Sequence, residues 1–278
     1  MAAKPTIVLI HGLWMTPLCW EHWIDRYRAA GYEVLAPGWP GVDDRTSAAI
    51  RADPVPMANK SIANIVDHYE AVIRALPAPP IIVGHSFGGL FVQILLSRGL
   101  GAVGVALCPA QPAGILKLPF STIRATLPVL ANPFDYASTV RITLGQFYYC
   151  FGNHLAHEAD SRALYERYAI PSVAHVLWQG ALGALDHSPS NDAHVDFQRA
   201  TRAPLLLVAG TIDHVLPLAV VHKEYAAYSQ KAGGGAEAAA PVVEYRVFEG
   251  RSHGIVNQDG WEEVADYALA FAKKHASM

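Results

Sequence analysis

Three residues, far apart in the chain, are of the types that together activate a hydroxyl: Ser86, Asp213 and His253. Ser86 is the centre of Gly84-His85-Ser86-Phe87-Gly88, a G-x-S-x-G pattern. The pattern is preceded by Ile81-Ile82-Val83, a short β-branched run of the kind buried on both faces of a parallel sheet. It is followed by Leu90 to Ser97, apolar at helical length. A strand, a tight turn and a helix therefore surround the serine, which is the context the pattern needs to project a hydroxyl above a sheet edge. A serine hydroxyl is a weak nucleophile without a base in hydrogen-bond reach. His253 can be that base, and Asp213 can hold its imidazole in the right tautomer and stabilise the imidazolium. The chain order Ser, Asp, His is the one expected after such a turn.

Position selects these residues from competitors. The chain holds 13 histidines, and His253 is the one in a Gly-rich loop between the last strand pattern and the last helix pattern. His11 and His85 flank apolar strand patterns and are expected to serve turn geometry. His154, His157, His175, His187 and His194 fall in a middle segment of different character. Asp213 follows a buried strand pattern in Gly210-Thr-Ile-Asp213-His-Val-Leu-Pro217, whereas the end of the preceding strand reads Cys108-Pro109-Ala110-Gln111 and offers no carboxylate. Developing negative charge on a substrate oxygen would need N–H donors. Phe87, the residue after the serine, can supply one, and Leu13 in the His11-Gly12 loop a second, with Trp14 the alternative.

The elements that must position these groups follow from periodicity. Thr6–Ile10, Tyr32–Ala36, Ile81–Val83, Ala102–Cys108, Pro204–Ala209 and Val242–Phe248 read as strands, most of them fully apolar. Between them, residues 17–30, 62–76, 90–98, 218–230 and 259–274 read as helices. Ile62, Ile65, Val66, Tyr69, Val72 and Ile73 mark one apolar stripe, and Ser61 is its N-cap. Residues 42–60 read as loop with a short helix. Strand and helix alternate on both sides of one interruption, predicting an α/β, doubly wound, mostly parallel sheet of about six strands. The sheet core is expected over residues 1–108 and 202–278. Residues 109–201 lack the alternation and are rich in aromatics, and are expected as an inserted helical cap. Both ends of that segment meet the sheet edge that carries Ser86. Trp14, Phe147, Tyr148, Phe151 and Trp178 are the residues expected to line a pocket beneath it. Lys231 to Ala240 is low-complexity and expected as an exposed loop.

Composition narrows the partners. With 278 residues, 52% hydrophobic and 16% charged, the chain can bury a large core. A net charge of -3 without a long basic run points away from nucleic acid and from an anionic membrane surface. Three cysteines, Cys19, Cys108 and Cys150, read as buried free thiols, and no secretory leader or membrane-spanning run is visible, so a cytoplasmic protein is expected. There is no H-E-x-x-H and no C-x-x-C, and the glycine run Gly84 to Gly89 lacks the G-x-G-x-x-G spacing, so neither metal nor cofactor is expected.

The His11-Gly12 loop, the Gly-His-Ser-Phe-Gly-Gly turn, the Gly-x-x-Asp-x-x-x-Pro loop and the Gly-Arg-Ser-His loop resemble those of the α/β-hydrolase superfamily, most of all its small bacterial capped esterases. The resemblance covers nearly the whole chain except residues 109–201. It departs at the start: the family sheet usually opens with two further strands, and this chain begins at the third. The resemblance implies a serine hydrolase working through an acyl-enzyme, on short to medium acyl or aromatic esters or a lactone, as a monomer or homodimer. Serine at position 86 argues against the branches that need a carboxylate nucleophile. The same residues also serve amidases, acyltransferases, carbon–carbon hydrolases and cofactor-free haloperoxidases. A small-ligand receptor that keeps the three residues is the alternative of another class.

Overall fold

The computed structural model describes residues 4–229 and 241–276, so the low-complexity run Lys231 to Ala240 lies outside the described residues. The first strand, β1 (Ile7–Ile10), has every side chain buried. The chain turns through a short 3-10 segment into α1 (Glu21–Ala29), then β2 (Val34–Leu35), α2 (Ser47–Ala52) and α3 (Ile62–Arg74). At the start of α3 the Ser61 and Asn64 side chains cap one another's backbone amides, which fixes where that helix begins. Next come β3 (Ile81–His85), α4 (Phe87–Ser97) and β4 (Val103–Leu107). Then follow α5 (Phe120–Leu130), β5 (Thr139–Val140), α6 (Leu144–Phe147), α7 (Arg162–Tyr168), β6 (Ser172–Val173) and α8 (Ala174–Gly183). The chain closes with β7 (Leu205–Gly210), α9 (Leu218–Ser229), β8 (Val243–Phe248) and α10 (Trp261–His275).

Six strands form one sheet in the order β2-β1-β3-β4-β7-β8, and every pairing in it is parallel. The fully buried strands are the inner ones, β1 among them. β3, β4 and β7 are buried along their whole length, as a parallel sheet covered on both faces requires. Helix α1 packs on α10, where Tyr27 donates to the Ala265 carbonyl and Trp23 stacks edge-on with Trp20 and Tyr27. Helices α3, α4 and α9 form the other group. Gln93 of α4 is bonded there to Glu224 and Tyr228 of α9. Glu224 is fully buried, and burial pushes its carboxyl well up, against the smaller pull of the Gln93 hydrogen bond.

β4 and β7 are neighbours in the sheet, Gly104 facing Leu205, yet the whole segment 109–201 runs between them. Helices are the main regular structure of that segment, but it also contains an antiparallel pair: β5 and β6 meet through Thr139–Val173 and Val140–Ser172. Two residues a strand is too short for an alternating pattern to register in sequence. A second difference is a π-helical turn over Tyr148–Gly152, continuing α6. No helix among the described residues is long and apolar enough to cross a membrane.

Candidate active site

The serine sits where β3 becomes α4. Its backbone is at φ 57 and ψ -121, a conformation costly for a residue with a side chain. The turn is held by close backbone approach. A Cβ on Gly88 would lie 2.1 Å from the Ile10 carbonyl oxygen, so only glycine lets α4 start this near β1. The His11-Gly12 loop presses in from the other side: a Cβ on Gly12 would lie 2.7 Å from the Ser86 Cβ. The Ser86 N–H donates to Leu107, and its carbonyl accepts from Ala110, so the β4 loop clamps the same residue.

The structure brings Ser86, His253 and Asp213 into one hydrogen-bonded line. The Ser86 Oγ lies 3.0 Å from His253 Nε2, and His253 Nδ1 lies 2.7 Å from Asp213 Oδ2. All three are buried. The second carboxylate oxygen of Asp213 accepts from the Val215 and Leu216 N–H groups, and Cys108 donates its thiol to the same carboxyl. Burial pushes the Asp213 carboxyl up, but His253 and these donors outweigh it and hold it below the usual carboxylate range. Asp213 is therefore an acceptor able to fix the His253 tautomer with Nε2 free to take the serine proton.

Neighbours of the line carry its geometry. His85 donates from Nε2 to the His253 carbonyl at 2.8 Å, and its ring lies 4.7 Å from that of His253. Burial, helped by the charge of His253, lowers His85 to about 3, so it stays neutral and acts as a strut. His11, lowered by burial to about 4, bonds Gly12 and Trp39, stacks on Trp39 and shapes the loop beside Ser86. Both serve turn geometry, and the one signal in sequence is that they end apolar strands. Burial and the nearby Asp213 push the Cys108 thiol well up, so it is a hydrogen-bond donor and not a thiolate. Cys108, Asp213 and His253 offer ligand atoms within 4.8 Å of one another. A cation there would have to break the 2.7 Å His253–Asp213 bond, so the group suits a proton relay better than a metal.

A cavity of about 690 Å³, its open mouth included, begins at Ser86. The sheet side supplies Leu13, Trp14, Phe87, Val215 and Leu216; the segment 109–201 supplies Gln111 just after β4, then Leu118, Thr122, Ala125 and Leu130 around α5, with Cys150 and Leu177. Among the described hydrogen bonds, the N–H groups of Leu13 and Phe87 donate to nothing, and both residues border the cavity beside Ser86. Two unspent donors near the serine are what a developing oxyanion requires.

Of the five residues expected to line the pocket, Trp14 does so; Phe147, Tyr148, Phe151 and Trp178 lie elsewhere. Phe147 and Phe151 stack on one another at 5.1 Å, and Phe151 lies 5.3 Å from the His253 ring. The Tyr148 hydroxyl donates to Leu155, and Trp178 packs towards Tyr136. The π-helical turn places Phe151 and its backbone against the loops that carry His253 and Asp213, where the Phe151 carbonyl accepts from Ser252, Asn153 donates to Ile212, and His214 bonds the Tyr149 carbonyl. Phe151 and Phe147 pack against the loop of His253, and what residues 118–181 bring to the cavity carries no aromatic ring.

A model of the alpha/beta hydrolase family matches residues 7–267. A search of curated protein sequences gave no match. Among solved structures, the chain is similar to a monoacylglycerol lipase of Paleococcus ferrophilus, with a TM-score of 0.61 and 18% identity over 97% of this chain and 96% of that one. It is similar to a pyrethroid hydrolase from Sphingobium faniae, with a TM-score of 0.63 and 17% identity over 99% and 100%. It is also similar to a methylesterase from Arabidopsis, with a TM-score of 0.62 and 15% identity over 97% and 99%. At these identities the likeness is one of fold.

Proposed function

This chain belongs to the alpha/beta hydrolase family, and on that premise we propose that it is a serine hydrolase of carboxylic esters working through an acyl-enzyme. The observation that carries the reading is the Ser86–His253–Asp213 line at the head of an apolar cavity. Neutral His253 takes the Ser86 proton as Oγ attacks the ester carbonyl. The oxyanion collects the Phe87 and Leu13 N–H groups. His253 then gives the proton to the departing alcohol, leaving the acyl group on Ser86. Water, deprotonated by His253, releases the acid and restores the serine.

The segment 109–201 acts in this reading as a cap that roofs the nucleophile. Its α5 and α8 give the cavity apolar walls of limited size, which favours short to medium acyl or small aromatic esters over long-chain lipids. A fluorophosphonate probe and nitrophenyl esters of rising chain length test the proposal. Labelling should occur at Ser86, and kcat/KM should climb over the first carbons and then fall. An unlabelled protein without turnover of any ester would leave a binding role in its place.

A further inference from the structure

The cavity walls hold very few polar groups, and all but one of the amide, hydroxyl and indole groups among them are committed. Ser86 is bonded to His253, and the Thr122 hydroxyl donates to the Val215 carbonyl. Thr126 donates to the Thr122 carbonyl, and the Trp14 indole N–H to the Val140 carbonyl. Gln111 differs. It is 8% exposed, its Oε1 is sealed without a partner, and no described hydrogen bond uses its Nε2. A buried amide oxygen left without a partner costs folding free energy that a leucine or methionine of similar volume would not. It stands at the end of β4, three residues after Cys108. Ala110, the residue before it, is bonded to the Ser86 carbonyl at 2.9 Å. It therefore borders the reacting end of the cavity, whose lining also includes Leu118, Leu130, Val215 and Leu216.

We propose that Gln111 is a substrate-recognition residue that pairs with a hydroxyl on the ester, so that the preferred substrates are hydroxyl-bearing short esters. The inference deepens the ester-hydrolase reading and rests on it. A hydroxyl is the group that complements this site, because it both accepts from an amide N–H and donates to an amide oxygen. Turning the amide over exchanges its ends and leaves that match intact. A site built around a hydrogen bond to substrate also rejects the analogue that lacks it, because the buried amide is then left unpaired.

Two isosteric pairs test this, one on each side of the scissile bond: the methyl esters of β-hydroxybutyric and β-methylbutyric acid, and hydroxyethyl against propyl butyrate. In the wild type, the hydroxylated member of at least one pair should exceed its apolar twin by about ten-fold or more in kcat/KM. Gln111→Met and Gln111→Leu should bring that ratio to about one, through loss on the hydroxylated ester. Ratios near one in the wild type, or a preference that survives in either folded variant, would overturn the assignment. Failure of the underlying reading looks different: none of the four esters would then turn over in a Ser86-dependent way.

Discussion

The carboxyl edge of the sheet and the segment that overhangs it solve different problems. At the edge, Ser86, Asp213 and His253 are fixed by backbone contacts: strained dihedrals, paired N–H groups and glycines where a Cβ would clash. In the overhang, cavity walls come from α5 and α8, helices outside the sheet whose side chains border the cavity. The difference separates whether a bond is broken from which molecule is accepted. Edge variants should slow all substrates alike, and wall variants should redistribute them.

The largest expected effect is Ser86→Ala, which should lower kcat for every ester by on the order of 10⁴ or more with an unchanged melting curve. His253→Ala should do nearly the same and the double variant little more, because the pair acts as a unit; Asp213→Asn should cost somewhat less. Additive losses in the double variant would break the edge half of the comparison. Next comes Gly88→Ala, whose Cβ would meet the Ile10 carbonyl at 2.1 Å. It should destabilise the fold by about 3 kcal/mol or more, read from urea unfolding.

Glu224 tests whether the scaffold behind the edge carries a pH cost. Burial holds its carboxyl protonated in the folded chain, while the unfolded chain releases the proton near pH 4.3, at the ordinary value. Its contribution is whole below that pH and declines as pH rises towards the folded value, by about 1.4 kcal/mol per unit. Glu224→Gln should therefore gain on the wild type as the buffer moves from about pH 5 to about pH 7. A constant difference would mean that Glu224 is ionised in place.

Wall and buttress variants make the smallest effects and the sharpest contrast. Ala125→Leu should lower kcat/KM for the longest well-accepted acyl ester by about ten-fold and spare the shortest. Phe147→Leu should cost about 1 kcal/mol of stability and leave the chain-length profile in place. A shifted profile in Phe147→Leu would return the aromatics to the pocket.

What was legible in the sequence follows the same division. Strand runs such as Ile81-Ile82-Val83, and polar landmarks just past them, announce themselves because a parallel sheet demands both apolar strands and loops at one edge. Ser86, Asp213 and His253 could be placed that way before any coordinate. The overhang offered composition without direction. Phe147 and Phe151 are apolar whichever way they point, and nothing in their spacing says that Phe151 faces the His253 ring, with Phe147 stacked on it, and not the cavity. Gln111 was visible as the residue standing where a carboxylate was missing, but its unspent amide is a property of burial. The short β5–β6 pair gave no periodic signal at all.

The pairing of β4 with β7 has a consequence for the order of assembly. Gly104 cannot find Leu205 until the whole intervening segment has been made, and closing so large a loop is entropically costly and slow. During synthesis the chain can pair β1, β2, β3 and β4 early, with the serine turn already formed between β3 and α4. Asp213 and His253 arrive on the loops after β7 and β8. On the serine-hydrolase reading proposed above, a nascent or truncated chain displays the serine without its base, and reactivity should appear only when the last strand has docked, which would make activity a report on completed folding.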